Sequence, residues 1–541
     1  VPSGAILHEE EDHDDHDEEE EHEEDMGFIN NSDYAVEATK FGISKVGDWG
    51  YVGFSVDNLE SVYGIPFHGD EHGDEHGDEH GDGHGDEEEH EEERIFSTTD
   101  SESFTIKGSY NINGSLINKI DFNYRDTDYS LTEDHAEEEH DEEEEHDEEE
   151  EHEEHSPTVF MNEAVEYGAV FDISNDSSTQ KVVVNFVDED NSIIGEEAFM
   201  NPANSEEFTI GYYLSKELGM FDFDFGFRLD QIERSGSVSE EEHEDEHGDD
   251  HGDEHGEVDY YNIDDTTSSF AVTLGRSLSD NLDVSLGYAS FERLPSSIEL
   301  FMNGPHMATG RFEVGDPNLN SETSNNFDVT FNFDNGDFYA FASFYITDVD
   351  NYIALIDEEE EDHMDEDEHH EDEDEHHEDE DEHDDHGNLI HANYMQKDAE
   401  FDGYEIEFGR SFDLGSGELA LSFGRDVVNA EFADGHNVPR INPARNIYSL
   451  VYTQDDLLFK LMLKDVEKQN DFGEGETATD SYQMLNTRLT KTFNAMGNGE
   501  LKVSLFANNL LDEVARNHSS FVKDEVPLPG RNYGLKFNLT F

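Results

Sequence analysis

Apolar and polar residues alternate along most of this chain. The segment Tyr533-Gly-Leu-Lys-Phe-Asn-Leu-Thr-Phe541 carries an apolar side chain at every second position. Leu282, Val284, Leu286 and Tyr288 alternate with Asp283, Ser285 and Gly287. Phe221, Phe223, Phe225 and Phe227 alternate with Asp222, Asp224 and Gly226, and Ile120, Phe122 and Tyr124 keep the same spacing. A period of two is that of a strand with one apolar and one polar face. The pattern predicts roughly 19 or 20 strands, many about 10 to 15 residues long.

Turn residues divide the connections into two kinds. Asn335-Gly336, and Gly415-Ser-Gly417, predict tight hairpin turns. Other connections are long. Tight turns at one end and long loops at the other are the pattern of a transmembrane antiparallel β-barrel of the outer-membrane type. A soluble β-sandwich or solenoid is the competing fold, but it has no use for so many long strands with aromatics on the apolar face. No run of 18 apolar residues occurs, which excludes a helical membrane protein. The chain ends on Phe541, on a strand that also carries Tyr533 and Phe537. A terminal aromatic on the final strand resembles an outer-membrane assembly signal, and points to the outer membrane of a Gram-negative bacterium with lipid around the wall.

Composition sharpens this reading. The 541 residues include 142 Asp plus Glu, 28 Lys plus Arg, 30 His and no Cys, a formal net charge of −114. Such a balance excludes a nucleic-acid partner, which needs a basic footprint. Without cysteine there is no disulfide framework, thiolate site or cysteine nucleophile. The low apolar fraction, 33%, would suggest disorder if it were uniform, but the charge is concentrated. Five blocks, 8–25, 68–93, 133–155, 240–257 and 357–386, hold 26 of the 30 histidines and 78 of the acids, without a Lys or Arg. The remainder carries a net charge of −36, compatible with folding, and only His306, His391, His436 and His518 lie there. In His68–Glu93 the unit His-Gly-Asp-Glu repeats every four residues. A glycine in each unit and dense like charge oppose a helix. All five blocks are predicted as solvated loops in the metal-free state.

Imidazole and carboxylate together suit Zn²⁺, and also Ni²⁺, Co²⁺, Mn²⁺ and Cu²⁺. The loop histidines that carry this expectation are His68, His72, His76, His80, His135, His140, His243, His247, His363, His369 and His376. Each loop loses chain entropy when it closes on an ion, so many weak, fast-exchanging sites are expected, suited to capture and hand-over. A generic acidic coat would explain the carboxylates but not the histidines, which add no charge at neutral pH. A structural or adhesive surface protein binding Ca²⁺ would need oxygen ligands in a fixed loop order, whereas here histidine interrupts the repeats. No Ser/His/Asp or paired-carboxylate arrangement stands out, and the chain is expected not to be an enzyme.

Several segments resemble the TonB-dependent outer-membrane receptors, specifically their zinc-uptake branch. One is Phe291–Gly315, reading Phe-Glu-Arg-Leu-Pro-Ser-Ser-Ile-Glu-Leu-Phe-Met-Asn-Gly-Pro-His-Met-Ala-Thr-Gly-Arg-Phe-Glu-Val-Gly, which runs on through Asn318–Glu322 to Ser324–Asp328. Another joins Asn508-Asn-Leu-Leu-Asp512, Ala515-Arg-Asn-His-Ser-Ser-Phe521 and Pro529-Gly-Arg531. A third is Gly50-Tyr-Val-Gly-Phe-Ser55 with Tyr63-Gly-Ile-Pro66 ahead of a His-rich loop. The Asn-Asn-Leu-Leu-Asp element is common to such receptors generally; the Pro295–Asp328 stretch is the specific one. The resemblance implies a 22-stranded barrel around an N-terminal plug. Here no signal peptide, TonB-contacting segment or plug is found, and Val1-Pro2 resembles the end of an early barrel strand. The expectation is a truncated receptor, residues 1–541 being barrel, with about 20 of the 22 strands. It implies import of zinc as the transported substrate, with TonB and its inner-membrane energising complex as partners through the missing plug. Receptors for another metal, a metal chelate or haem remain open, although acidic loops would repel haem propionates. By resemblance His306, His518 and Glu299 face the extracellular vestibule, and the plug supplies further ligands. His391 is expected on a strand at the rim and His436 in a surface loop.

Overall fold

The computed structural model describes residues 31–65, 95–112, 114, 116–135, 157–195, 198–239, 258–358, 389–494 and 499–540. Their alternating pattern is realised as one sheet of 21 strands. Two of these, Asn303–His306 and Arg311–Val314, are four-residue strands of a small hairpin; the other nineteen form an up-and-down wall. It starts with Tyr34–Gly47 paired to Gly50–Gly64 and ends with Glu500–Asn508 paired to Asn532–Thr540, each long strand antiparallel to the next. The longest, Ile390–Asp413, has 24 residues. This is the predicted all-β transmembrane barrel architecture.

The wall faces its surroundings with apolar side chains. Tyr533, Leu535, Phe537 and Leu539 are each more than half exposed in the isolated chain. Phe408, Phe423 and Tyr448 form a ladder on the same outer face, ring centroids 5.2 Å apart at each step. Water would not tolerate such a surface over the whole wall, whereas a lipid face requires it. Among the described residues no helix is long and apolar enough to cross a membrane.

At one end the turns are tight. Gly336 takes φ 91°, and the Asp334 and Asn335 side chains accept from the N–H groups of Gly336 (2.7 Å) and Phe338 (2.9 Å). Gly415 takes φ 76° in the equivalent turn. Both conformations suit glycine. Alternating strand direction then puts the strand ends that flank four of the acidic blocks at the opposite end. The flanking strand ends are Gly64 and Ile95, His135 and Thr158, Ser239 and Val258, Asp357 and Ile390.

Two block boundaries need correction. Glu133 and Asp134 belong to strand Lys119–His135, where Glu133 pairs in register with Ser97 and Thr158. Asp357, expected as the first residue of a solvated loop, ends strand Phe338–Asp357 and is buried. In both places the hydrogen-bond ladder outweighs the local charge density, and at Asp357 a counter-charge is supplied by Arg311. Apart from these residues, His135 at the end of the same strand and Glu358 just after Asp357, the five blocks lie outside the described residues.

The buried apolar core sits at the long-loop end, where connections fold over the mouth. Phe199, Met200, Leu300, Phe301, Met302 and Ile353 form its largest cluster. Helix Ser297–Phe301 drives Leu300 and Phe301 into it. Strand Phe221–Ser239 admits Phe301 through Gly236, where a Cβ would come within 2.5 Å of the ring. The helix starts in a capping box: Glu299 N–H donates to Ser296 Oγ (3.3 Å) and Ser296 N–H donates to Glu299 Oε2 (2.7 Å).

Candidate functional site

The small hairpin stands in the connection between strands Leu282–Arg293 and Glu322–Asp334. Gly310, at φ 63°, turns it back on itself. His306 pairs with Arg311 in register, so Glu313 is its diagonal neighbour on the same face. Nδ1 of His306 lies 2.9 Å from Glu313 Oε1, which also accepts from Thr309 Oγ1 at 2.7 Å. Glu313 is 3% exposed while His306 keeps 28%, so the imidazole is the accessible member. Its ring packs on Phe199, centroids 4.6 Å apart.

Arg311 is directed away from this pair by a bidentate ion pair with Asp357, at 2.8 and 2.7 Å, both side chains buried. Its charge is thereby neutralised beside a place suited to a cation. The hairpin is tied to the wall a second time, because Arg311–Val314 runs parallel to Ile390–Asn393. That pairing stacks Phe312 on His391 at 5.1 Å. His391 therefore stands on a strand at the rim, on the face opposite the His306–Glu313 pair.

His306, Thr309 and Glu313 line a cavity of about 450 Å³ at the mouth, shared with Tyr352, Tyr394 and Arg440. His518 is not on its wall. It is 1% exposed inside the connection 509–531. Its Nδ1 lies 2.8 Å from Thr479 Oγ1 and 3.3 Å from Lys523 Nζ, and its Nε2 is 3.7 Å from Glu476 Oε2. Lysine can only donate, so Nδ1 accepts and Nε2 carries the proton. Burial, reinforced by the Lys523 ammonium, holds this imidazole below its ordinary pKa. Phe521, three residues on, reaches the cavity and links the two regions.

Glu299 does not approach His306 through a direct bond. Both its oxygens are engaged by Arg293, at 2.9 and 3.1 Å, and Arg293 also binds Glu322. His436 is an exposed loop residue whose Nδ1 lies 3.9 Å from Asp434. His135 ends strand Lys119–His135 opposite Ile95. His68, His72, His76, His80, His140, His243, His247, His363, His369 and His376 lie outside the described residues.

Among the described residues no three or more metal-ligating side chains converge. The hairpin therefore offers two protein ligands, fewer than the three or four usual for zinc. Glu313 was not singled out in the sequence, although Gly310, a turn residue between Asn303–His306 and Arg311–Val314, is a signal that could have paired it with His306. Arg440 carried no local signal at all.

A family model described as "TonB dependent receptor-like, beta-barrel" matches residues 35–510. Among solved structures the chain is similar to the copper transporter OprC, with TM-score 0.62 and 13% identity over 94% of this chain and 80% of that one. It is similar to the FrpB iron transporter from Neisseria meningitidis (F3-3 variant), with TM-score 0.61 and 12% identity over 94% and 72%. The ferric yersiniabactin uptake receptor FyuA from Yersinia pestis gives TM-score 0.55 and 12% identity over 94% and 70%. At such identities the likeness is one of fold. The family match spans most of the chain and agrees with the wall, the tight-turn end and the lipid-facing aromatics: the protein belongs to the TonB-dependent receptor β-barrel family, whose members are receptors and transporters of the Gram-negative outer membrane and not enzymes.

Proposed function

We propose that this receptor imports a divalent metal, zinc first among them, captured by the His/carboxylate blocks and received at the barrel mouth by His306 and Glu313. The observation that carries the reading is the 2.9 Å His306–Glu313 pair on the wall of the mouth cavity. A neutral imidazole and a carboxylate in contact are a ligand pair for Zn²⁺, and one imidazole is open to solvent on the cavity side. Relatives of the same fold are named as copper and iron transporters, which supports metal as cargo but leaves its identity to ligand chemistry. With 26 histidines in the blocks and no cysteine, that chemistry favours zinc among borderline ions. Further ligands come from water or from a plug, and transport draws on the inner-membrane TonB complex. His518 is a second holding point only after Nε2 gives up its proton. Glu299 ranks behind Glu313 because Arg293 occupies it.

Calorimetric titration of the refolded chain with Zn²⁺ and Ca²⁺, at pH 7.5 and 5.5, tests the reading. Zinc binding is expected to survive excess Ca²⁺ and to weaken sharply at pH 5.5 as imidazoles protonate. His306→Ala is expected to remove the tightest class of sites and leave the many weak ones. Displacement of zinc by Ca²⁺, with little effect of acid, would mean that carboxylates bind and the zinc reading is wrong.

A further inference from the structure

The lipid-facing side of the wall changes charge between its two edges. Strand Ala203–Leu218 shows the change. Phe208, Ile210, Tyr212 and Leu214 share its outward face, with Glu206 toward the long-loop end and Lys216 toward the tight turn at Gly219. The two charges stand ten positions apart. At about 3.3 Å per residue and a tilt of about 40°, that is about 25 Å along the membrane normal, the height of an outer-membrane barrel's apolar band.

The tight-turn edge is basic. The same alternation puts Lys45, Lys216, Arg276, Arg410 and Lys491 outward on five different hairpins, each two or three residues before its strand ends. The Arg276 guanidinium carbon lies 5.5 Å from the centroid of the Phe221 ring, and that of Arg410 lies 5.1 Å from the centroid of Phe412. Lys491 pairs with Asp456 in the neighbouring turn. Among the described residues no carboxylate lies within ion-pair distance of the other four. With 142 acids to 28 bases in the chain, this is not for want of carboxylates.

The long-loop edge has the opposite sign. Asp188 faces Glu206, Glu206 faces Glu233 and Glu233 faces Asp264, so four successive strands carry directly opposed carboxylates on the outward face. Like charges in register are unfavourable in a sheet, and this row repels a phosphate.

Lys216 and Arg276 flank strand Phe221–Ser239. Lys216 pairs with Phe223, and Phe223 with Leu274, two residues from Arg276. Two strand spacings make about 10 Å, so both long side chains can close on one phosphate over Phe221 and Phe223, their stems lying on the apolar band. A partner that fits must offer acyl chains to the aromatic band and an anionic phosphate at its edge. A phospholipid does both. A zwitterionic headgroup brings its own cation to unpaired lysines and arginines, so an anionic one is favoured. We propose that the tight-turn edge is a binding girdle for anionic phospholipid, phosphatidylglycerol in class, in the leaflet that meets the short turns, which in an outer-membrane barrel is the periplasmic one. The girdle is independent of the cargo.

The single tryptophan, Trp49, reports on it. It lies in the turn that Lys45 approaches, its ring 6.4 Å from that of Tyr110. The test refolds the full chain into phosphatidylcholine vesicles containing a minor share of brominated phosphatidylglycerol or brominated phosphatidylcholine, and reads quenching as a relative affinity. Two more reporters are read in a Trp49→Phe chain: Phe221→Trp, under Arg276, and Phe208→Trp, beside Glu206. Phosphatidylglycerol is expected to bind about fivefold tighter than phosphatidylcholine at Trp49 and at Phe221→Trp, and no tighter at Phe208→Trp. Lys45→Gln should abolish the preference at Trp49, and Arg276→Gln at Phe221→Trp, while Arg276→Lys keeps most of it. High salt should weaken it throughout. These substitutions touch only lipid-exposed side chains, and heat-modifiable migration confirms that each chain is folded. No preference at the two tight-turn reporters, an equal preference at all three, or a preference that survives both glutamine variants overturns the girdle; the bases are then only snorkelling ends of an apolar face.

Discussion

Arg311 and Asp357 form a buried, bidentate ion pair that fastens the hairpin carrying His306 and Glu313 to the strand end where the longest acidic block begins. The return of that block, at Ile390–Asn393, pairs with the same hairpin strand. One short element is thus held at both roots of block 357–386, and the candidate ligand pair depends on that anchorage.

Removing either partner leaves a buried charge alone. Arg311→Met or Asp357→Leu is expected to cost about 3–5 kcal/mol locally, and the double replacement much less. The loss falls on the hairpin and not on the barrel, because the wall is held by its own ladders. Limited proteolysis at the Met307–Gly310 turn reads it: single variants should be nicked readily, the double variant and wild type resist, and heat-modifiable migration stays unchanged. Equal resistance in all four chains would show that the β-pairing alone anchors the hairpin.

Glu299 separates a structural carboxylate from a ligand. It closes the capping box of helix Ser297–Phe301 and binds Arg293. Gln at that position keeps the reciprocal cap, so Glu299→Gln should leave zinc affinity within about twofold, while Glu299→Ala should destabilise the helix by about 1 kcal/mol. Zinc titration beside hydrogen exchange at Leu300 and Phe301 distinguishes these. A large fall in zinc affinity for Glu299→Gln would make it a ligand after all.

The assignment of faces makes its own prediction. Phe423 belongs to the outward aromatic ladder and Ser422 to the opposite face, where its register partners are Gly409 and Ser449. An arginine on the lipid face near mid-membrane costs about 2–4 kcal/mol. Phe423→Arg should lower folding stability in lipid vesicles by that order, and Ser422→Arg far less. The reverse ranking would invert the barrel's faces.

The wall was readable because a period of two survives in every strand that must keep one face in lipid; Phe221 to Phe227 and Tyr533 to Leu539 show it without help from tertiary structure. The mouth was not. His306 and Glu313 meet only because a four-residue hairpin forms inside a connection, and Arg440 reaches the same cavity from a loop more than a hundred residues away. Its left-handed backbone is imposed by Glu476 and Gly473, whose positions depend on yet another connection. The buried state of Asp357 was hidden for the same reason. Nothing in a run of acidic residues tells which one faces an arginine.

His518 provides the pH prediction. Its environment holds the imidazole neutral: burial first, then Lys523, against the opposing pull of Glu476 and Asp524, with Thr479 on Nδ1. An unfolded chain takes up the proton at the ordinary value near about 6.5, while the folded chain resists until lower pH. Between those values the unfolded state binds more protons, so stability falls as the pH drops. The contribution is complete above the unfolded value and is lost progressively below it. The packing of connection 509–531 against Thr477 and Thr479 should therefore loosen between pH 7.5 and 5.5. Hydrogen exchange at the Thr479 amide, bonded to Gln469, reports it. His518→Gln removes the titrating group, and its exchange should change less over the same range. If the variant and wild type loosen alike, the pH response belongs to the surrounding carboxylates; if wild type tightens in acid, the His518–Glu476 attraction outweighs burial and the imidazole is charged in the folded state.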